Sequence, residues 1–223
     1  NDTNKEVDWK QGYGYQFWRC QHNAYRGDGA FGQFCIVLPA QDAVIAITAG
    51  VEAMQPVLNL VWQYLLPALD KAPLPADDPA AQNLAHQAGQ LALLPPQGAQ
   101  SSPLAALISK KVYQVDPNPV KVSALSFDFT PQGCQVSIVQ GKRRRHTFNC
   151  GYGTWSEGQT SLTSREPRPI FASGVWASEQ SFVITLRYVE TPFTQTVTCD
   201  FSGGQLSVTQ VMNLAFGPKE GPT

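Results

Sequence analysis

The sequence predicts an α+β fold: an antiparallel layer of three strands and one helix, followed by a mainly-β antiparallel barrel of about eight strands. Two observations lead to this prediction. Aromatic and β-branched residues alternate with polar residues over many short segments, which is typical of half-buried strands. In residues 54–69, by contrast, apolar residues recur at the three- and four-residue spacing of an amphipathic helix.

Three strands are predicted near the beginning of the chain, at residues 13–19, 29–38 and 43–48. Polar or Pro-containing turns separate them, so their order indicates an antiparallel meander. The helix follows, and Pro56 is tolerated near its start. The residues on its apolar face are Met54, Val57, Leu58, Val61, Trp62, Leu65, Leu66 and Leu69. Three strands and a helix make a layer and not a complete domain.

Residues 71–103 are rich in Ala, Pro and Gln, which is typical of a connector. Within it, Leu84, Ala88 and Leu91 are spaced to line one short helix. Asp77 and Asp78 stand before Pro79, as at the start of a helix. The sequence therefore predicts three parts: the strand and helix layer at residues 1–70, a linker at 71–103 and the barrel at 104–223.

From about Lys111 onward the pattern is one of strands and short turns. The residues expected on the buried face are Leu125, Phe127, Phe129, Phe182, Ile184, Leu186, Tyr188, Val197, Cys199 and Phe201. Further strands are predicted near 111–115, 133–140, 145–150, 170–176 and 205–212. This series favours a closed barrel or a sandwich, and closure removes exposed edges. The aromatic interior either fills the core or lines a small-molecule pocket, as in lipocalin-like barrels.

Charge and hydropathy give no support for a nucleic-acid or membrane partner. Sixteen basic and seventeen acidic residues produce a formal charge of −1, so no overall field attracts an anionic polymer or surface. The basic run at 142–145 follows Gly141 at a hairpin tip, where charge keeps a turn solvated. The longest apolar run, residues 57–69, is too short to span a bilayer.

Five cysteines, at positions 20, 35, 134, 150 and 199, lack the C-x-x-C spacing of metal and redox motifs. Mostly free, buried thiols are expected, which favours a cytoplasmic over a periplasmic location. Cys134 and Cys150 lie symmetrically about a turn, so a disulfide across a hairpin is the alternative. The three histidines are scattered without metal-ligand spacing, so neither a metal nor another cofactor is expected.

A glycine-rich motif, GDGAFGQF at residues 27–34, lies at the start of the second predicted strand. With its flanks, from Gly12 to about Leu69, it resembles the last three sheet strands of the serine β-lactamase/esterase/penicillin-binding superfamily. Enzymes of that superfamily need a Ser-x-x-Lys nucleophile turn, a Tyr or Ser motif and a Lys/His-Thr-Gly strand. Only the third element has a counterpart here, and the nucleophile turn in particular is absent, since no lysine of the chain has a serine three positions before it.

The resemblance implies an oxyanion or substrate edge, since in that superfamily a backbone N–H after the third-motif glycine joins the oxyanion hole. With Gly27-Asp28-Gly29 aligned to the Lys/His-Thr-Gly motif, the Ala30 N–H takes that position and the lysine is missing. The best match is the Gly-x-His-Gly-Gln variant of the esterase and amide-hydrolase branches, although Phe31 replaces its histidine. The residues implied are Gly29, Ala30, Phe31, Gly32 and Gln33. The alternative is that these glycines only permit tight strand packing.

The function implied is that of a non-catalytic C-terminal fragment of a bacterial serine hydrolase. Its parent would acylate a serine with an ester, amide or peptide-like substrate. No catalytic residue is expected in this chain, which should be inactive alone. The expected partner is the missing N-terminal catalytic half or a second copy of the chain, as in a homodimer. The alternative function is an accessory or ligand-binding barrel without hydrolase activity.

Overall fold

A computed structural model describes residues 6–69, 76–141, 144–162 and 164–221. The fold is mostly β, and the chain divides into two compact units, residues 1–92 and 93–223. Each unit has its own sheet and its own buried core. The ranges 1–70, 71–103 and 104–223 stay a prediction, and residues 71–75 at the start of the predicted linker lie outside the described part.

The first unit contains a five-stranded antiparallel sheet whose strands are neighbours in chain order. They are β1 (Tyr13–Gly14), β2 (Phe17–Arg19), β3 (Tyr25–Gly29), β4 (Gln33–Leu38) and β5 (Ala43–Ile47). The prediction of three strands is wrong. The first predicted strand divides at Tyr15 and Gln16, whose positive φ angles of 54° and 68° make a tight turn. Residues 25–28, expected in the turn before the second predicted strand, pair with β4 instead.

The predicted helix forms and covers one face of this sheet. It begins as α1 (Gln55–Leu60), then widens into a π-helical turn at Val61–Leu65 and ends in a 3₁₀ turn at Leu66–Ala68. Leu58 and Val61 are buried in the core cluster of the sheet, as predicted. Leu65 is 47% exposed, against the prediction, because the wider turn rotates the following side chains around the helix axis.

A second helix, α2 (Asp78–Gly89), forms at the predicted place in the connector. The Asp77 carboxylate accepts a hydrogen bond from the Ala80 amide at 3.0 Å, which caps the first turn, and a proline follows within that turn. None of the residues of α2 is buried, and Leu84 is 70% exposed. Local capping rather than core packing therefore determines where this helix begins.

The second unit begins with a short helix, α3 (Ala105–Ile108), and continues as a nine-stranded sheet. The strands are β6 (Val112–Gln114), β7 (Val122–Thr130), β8 (Gly133–Gln140), β9 (Arg144–Tyr152), β10 (Ser156–Thr160), β11 (Arg168–Trp176), β12 (Ser181–Tyr188), β13 (Thr194–Asp200) and β14 (Ser207–Met212). Of the basic run at 142–145, Lys142 and Arg143 lie outside the described residues.

Eight of these strands form one continuous ladder in the order β14-β13-β12-β11-β9-β8-β7-β6, and β10 pairs with β11. The sheet curls into a half-barrel, so the predicted closed barrel is correct only in its curvature and its approximate strand number. It is also not purely antiparallel, because β9 and β11 run parallel where Gly151 pairs with Ser173.

Part of the outer edge of β14 is occupied by a later segment of the chain. The Met212 amide donates to the Lys219 carbonyl at 2.9 Å, and the Gly221 amide donates to the Gln210 carbonyl at 2.9 Å. Residues 219–221 therefore pair with the edge of β14 that faces away from β13. Because a strand has only two edges, residues 210–212 of β14 have none left for β6. We call the junction between β6 and β14 the seam.

The predicted alternation is confirmed in β12, where Phe182, Ile184, Leu186 and Tyr188 are buried. At one end of the half-barrel five rings contact one another, with centroids 5.1–6.2 Å apart. This aromatic cluster consists of Phe127, Phe129, Trp176, Phe182 and Phe201. Strand β10, with the residues SEGQT, was missed by the sequence analysis because it carries no apolar alternation.

Replacing Ile184 with Asp should prevent folding of the half-barrel, because the carboxylate would be buried without a partner in a domain of marginal stability. Thr185→Asp, one residue along the same strand but on its other face, should change the free energy of unfolding by less than about 1 kcal/mol. Hydrogen exchange of peptides from β7 to β13 measures both. Equal losses of protection in the two variants would contradict the strand register.

Candidate functional site

The five residues predicted to form a substrate edge lie together in the hairpin turn between β3 and β4. Gly29 pairs with Gln33 across the base of the turn, and Ala30 is exposed at its tip. Phe31 and Gly32 both have positive φ, at 67° and 91°. We call residues 29–33 the glycine turn. Because residues with positive φ do not continue a strand, the second predicted strand begins at Gln33 and not at Gly29.

The glycine turn is anchored to the segment that follows β5. The Val51 amide donates to the Phe31 carbonyl at 3.0 Å, and the Gln33 side-chain amide donates to the Ala49 carbonyl. A Cβ atom at Gly32 would lie 3.0 Å from the Cβ of Ala49, which is closer than such atoms normally approach. Both its conformation and its surroundings therefore require glycine at this position.

Behind the glycine turn, β3 carries a fully buried arginine. Arg26 ion-pairs with Asp28 at 3.0 Å, donates to the Cys20 sulfur at 3.1 Å, and places its guanidinium carbon 4.2 Å from the centroid of the Trp9 ring. A buried cation is costly without such partners. The triplet Arg26-Gly27-Asp28 is thus an internal structural element. Burial raises the pKa of the Cys20 thiol, although the neighbouring Arg26 opposes this.

A buried carboxylate links this arginine to the helix. Asp8 accepts hydrogen bonds from the Gln21 amide at 2.9 Å, from the Trp62 indole at 3.0 Å and from the Gln55 side chain, while its own carbonyl accepts from Arg26 at 3.3 Å. Burial acts to raise the pKa of Asp8, but these hydrogen bonds outweigh it and the pKa lies below its ordinary value. The sequence analysis missed Asp8, which stands among other polar residues without a local pattern.

The opposite face of the first sheet is exposed and carries apolar residues. Tyr25, Val37 and Val44 are paired across β3, β4 and β5, so they form one row on that face, which the exposed Arg19 of β2 continues. Tyr25 is 40% and Val44 65% exposed, and Phe17 contacts Tyr25 with its ring centroid 5.8 Å away. We call this surface the open face. Apolar rows of this kind are typical of surfaces that pack against another element.

The second unit contains a cavity of about 700 Å³ on the concave side of the half-barrel. Its wall is formed by inward-facing residues of the strands at both ends of the ladder, including Phe127, Val136, Ile184 and Val197. The volume lies in the range of small-molecule sites. The seam borders the cavity, and there Tyr113 contacts Phe201 with ring centroids 5.7 Å apart.

Three glutamines line the cavity at the end of the half-barrel away from the aromatic cluster. Gln140 ends β8, Gln195 lies at the start of β13 and Gln210 lies near the end of β14, so the strand directions place all three at one end. We call this the polar end. Gln195 accepts a hydrogen bond from the Tyr188 hydroxyl at 2.7 Å and donates to Gln210 at 2.6 Å. The sequence analysis did not single out these glutamines.

His146 lies beside the polar end, with its Nε2 atom 3.1 Å from the Gln140 side-chain oxygen. Burial lowers the pKa of His146, and the positive charge of Arg144 adds to this effect. The imidazole is therefore favoured in its neutral form. Its neighbours are amide and hydroxyl groups, since the Ser161 hydroxyl lies 3.4 Å from its other ring nitrogen.

All five cysteines are free thiols in the structure, and four are buried while Cys35 is exposed. Cys134 and Cys150 face each other across β8 and β9, at the register predicted for the alternative disulfide. Burial raises the pKa of both, and it raises the pKa of the nearby Cys199 to about 12. These three thiols are therefore protonated and unreactive at neutral pH.

The described residues contain no group of three or more His, Cys, Asp or Glu side chains placed to hold a metal ion. No helix among them is long and apolar enough to cross a membrane. The chain matches no protein-family model, and a search of curated proteins finds no match to it.

Gly32→Ala should destabilise the first unit by about 1–3 kcal/mol, because an L side chain is strained at positive φ and has no space beside Ala49. Gly27→Ala is the matched control, since a Cβ at Gly27 has no atom within 4 Å. Hydrogen exchange of peptides from β3 and β4 measures the effect. Equal destabilisation by the two changes would show that the glycine turn is not specially constrained.

Asp8→Asn should destabilise the first unit by about 2 kcal/mol or more at pH 7, because the new amide hydrogens would face donors. Since the pKa of Asp8 is lowered on folding, its contribution is complete above the unfolded value of about 3.9 and is lost as the pH falls through the folded value. The difference in the free energy of unfolding between wild type and Asp8→Asn should therefore become smaller below about pH 4.

The matched control for this prediction is Asp42→Asn, which removes the same charge at an exposed position with φ 50°, where asparagine is tolerated. It should change the stability by no more than about 0.5 kcal/mol. Denaturant titrations followed by hydrogen exchange at several pH values make the comparison. If the difference in the free energy of unfolding between wild type and Asp8→Asn stayed constant down to pH 2, the ionised Asp8 carboxylate could not be the cause of that difference.

Proposed function

We propose that the first unit is the C-terminal part of the catalytic domain of a bacterial serine hydrolase related to the β-lactamases. The observation that supports this is the glycine turn. The residues that carry the resemblance meet in a single anchored hairpin turn whose backbone is held on both sides. The chain lacks a Ser-x-x-Lys nucleophile and is therefore inert alone.

In the parent enzyme, the Ala30 N–H would stabilise the oxyanion of the tetrahedral intermediate. Such a donor is effective when it is fixed in place before the reaction, because no reorganisation is then needed as charge develops. The hydrogen bonds from Val51 and Gln33 hold the turn in one conformation. Ala30 itself is exposed, so a substrate can reach it.

The residues around the turn favour ester or amide substrates over β-lactams. The lysine or histidine that would bind a substrate carboxylate is absent: Gly27 stands at its position in the Lys/His-Thr-Gly alignment, and Phe31 replaces the histidine of the Gly-x-His-Gly-Gln variant. The cation of β3, Arg26, is buried and paired with Asp28. An acyl group without a carboxylate therefore fits this edge better than an anionic one.

In this proposal the catalytic half of the parent covers the open face. At about 25 cal/mol per Å² of apolar surface, leaving the row of Tyr25, Val37 and Val44 in water forfeits up to several kcal/mol. The chain must then associate with a polypeptide that carries the nucleophile, the lysine and the tyrosine or serine partner. A second copy of the chain on the same face is the competing occupant.

The purified chain should not hydrolyse 4-nitrophenyl butyrate or nitrocefin above background, and a fluorophosphonate probe should label none of its serines. The physical reason is that no lysine of the chain follows a serine by three positions, so the Ser-x-x-Lys turn that activates the nucleophile is absent. Intact-mass measurement gives the labelling stoichiometry. One probe bound per chain would overturn the proposal.

The complete reading frame that encodes this chain provides the second test. It should specify an upstream Ser-x-x-Lys, and the full-length protein should be labelled at that serine. In that protein Ala30→Pro, which removes the N–H, should lower kcat roughly 10²- to 10³-fold. Ala30→Ser keeps the N–H and should be nearly neutral. A reading frame without Ser-x-x-Lys, or equal activity of the two variants at equal stability, would contradict the assignment.

A further inference from the structure

Independently of the first unit, we propose that the cavity of the half-barrel binds an uncharged amphiphile, a molecule with an apolar tail and a hydroxyl, ester or amide head. The proposal combines three observations: the size of the cavity, the apolar wall at one end and the glutamines at the other. Each limits the class of ligand in a different way.

The size of the cavity favours an occupant larger than water. A volume of about 700 Å³ corresponds to roughly twenty water molecules at about 30 Å³ each. Much of the wall is formed by side chains such as Phe127, Val136 and Ile184, which offer such water no hydrogen bonds. Replacing this water with an apolar group is favourable, because it removes the apolar surface of the wall and of the ligand from contact with water.

The charge of the wall excludes an ionic ligand. The charged residues among those that line the cavity are Lys111 and Asp116, and both are exposed at the rim. A carboxylate or an ammonium group inside would lose its hydration without meeting an opposite charge, which is costly. The tail therefore lies toward Phe127 and the aromatic cluster, and the head carries no charge.

The polar end can recognise such a head through amide groups. A glutamine side chain has two N–H donors and an oxygen with two lone pairs. Among the described residues, the bonds of Gln195 to Tyr188 and Gln210 use one N–H and one lone pair. A further donor and acceptor remain for a hydroxyl, ester or amide. Tyr188 and Gln210 hold the Gln195 side chain in place, so the site is preorganised.

The seam provides a route into the cavity. Residues of β6 and of β14 both line the cavity, and the ladder makes no connection between these two strands in the part of the chain described. The contact between Tyr113 and Phe201 closes the seam through side chains at the end near the aromatic cluster. A ligand can therefore enter between the two end strands while every ladder hydrogen bond stays intact.

The test uses the complete chain and the fluorescent probe N-phenyl-1-naphthylamine, which is uncharged and brightens in apolar surroundings. The probe should bind with a stoichiometry of one, and 1-decanol should displace it. Decanoate and decylammonium have tails of comparable length but carry a charge, so each should need at least about tenfold higher concentrations than 1-decanol. Equal displacement by all three would overturn the uncharged-head assignment.

Two adjacent residues of β13 test whether the probe occupies the cavity. Val197→Trp fills it and should abolish probe binding, while Thr196→Trp, on the outer face of the same strand, should leave binding unchanged. If Val197→Trp does not fold, Ile138→Trp places the same ring in the cavity from β8. Probe binding that persists in a folded cavity-filling variant, or the absence of probe binding to the wild type, would overturn the proposal.

Gln195→Leu tests the polar end. In this variant, about five- to tenfold more 1-decanol should be needed to displace the probe, because the alcohol loses its hydrogen bond to the Gln195 amide. The affinity for the hydrocarbon-like probe, which does not use this amide, should stay within about twofold of the wild-type value. Gln135→Leu makes the same change on the outer face of β8 and should alter neither. An unchanged affinity for 1-decanol in Gln195→Leu would show that the glutamine does not contact the head.

Discussion

Hydrogen bonding at strand edges is the constraint on which the second unit depends. A backbone edge left unpaired must be covered or paired elsewhere, and each strand has two edges. Residues 219–221 take the outer edge of β14 at residues 210–212, so this stretch of β14 cannot join β6. The described residues contain no pairing of β6 with β14, and the side-chain contact of Tyr113 with Phe201 bridges the two ends of the ladder instead. The cavity lies beside this opening.

The first unit depends instead on buried polar groups. Asp8 and Arg26 are both fully buried, and together their hydrogen bonds join the start of the chain, β3 and α1. Burying charges gains little stability on balance, but each donor fits only one arrangement of acceptors. The network therefore specifies the position of β3, and through β3 the position of the glycine turn. The apolar core of Ile36 and Leu58 would tolerate small shifts that this network does not.

Local patterns predicted the strands whose two faces differ, such as β7, β8 and β12, because alternation is a property of each strand alone. They missed β3, where Arg26 is buried and Tyr25 exposed, and β10, which has no apolar alternation. The five residues of the glycine turn could be found because they are contiguous. The cavity could not, since it depends on which strands become neighbours in the ladder, including the parallel contact of β9 with β11, which no local pattern encodes.

The open seam has a kinetic consequence for anything held inside the half-barrel. In a closed barrel the wall separates only when ladder hydrogen bonds break, so escape is linked to partial unfolding and is slow. Here the wall between β6 and β14 is held by side chains, and aromatic rings change rotamer far faster than strands unpair. Exchange of an occupant is therefore decoupled from the stability of the fold. With the proposed amphiphile as its ligand, the half-barrel would exchange that ligand continually and would not store one molecule for the lifetime of the protein.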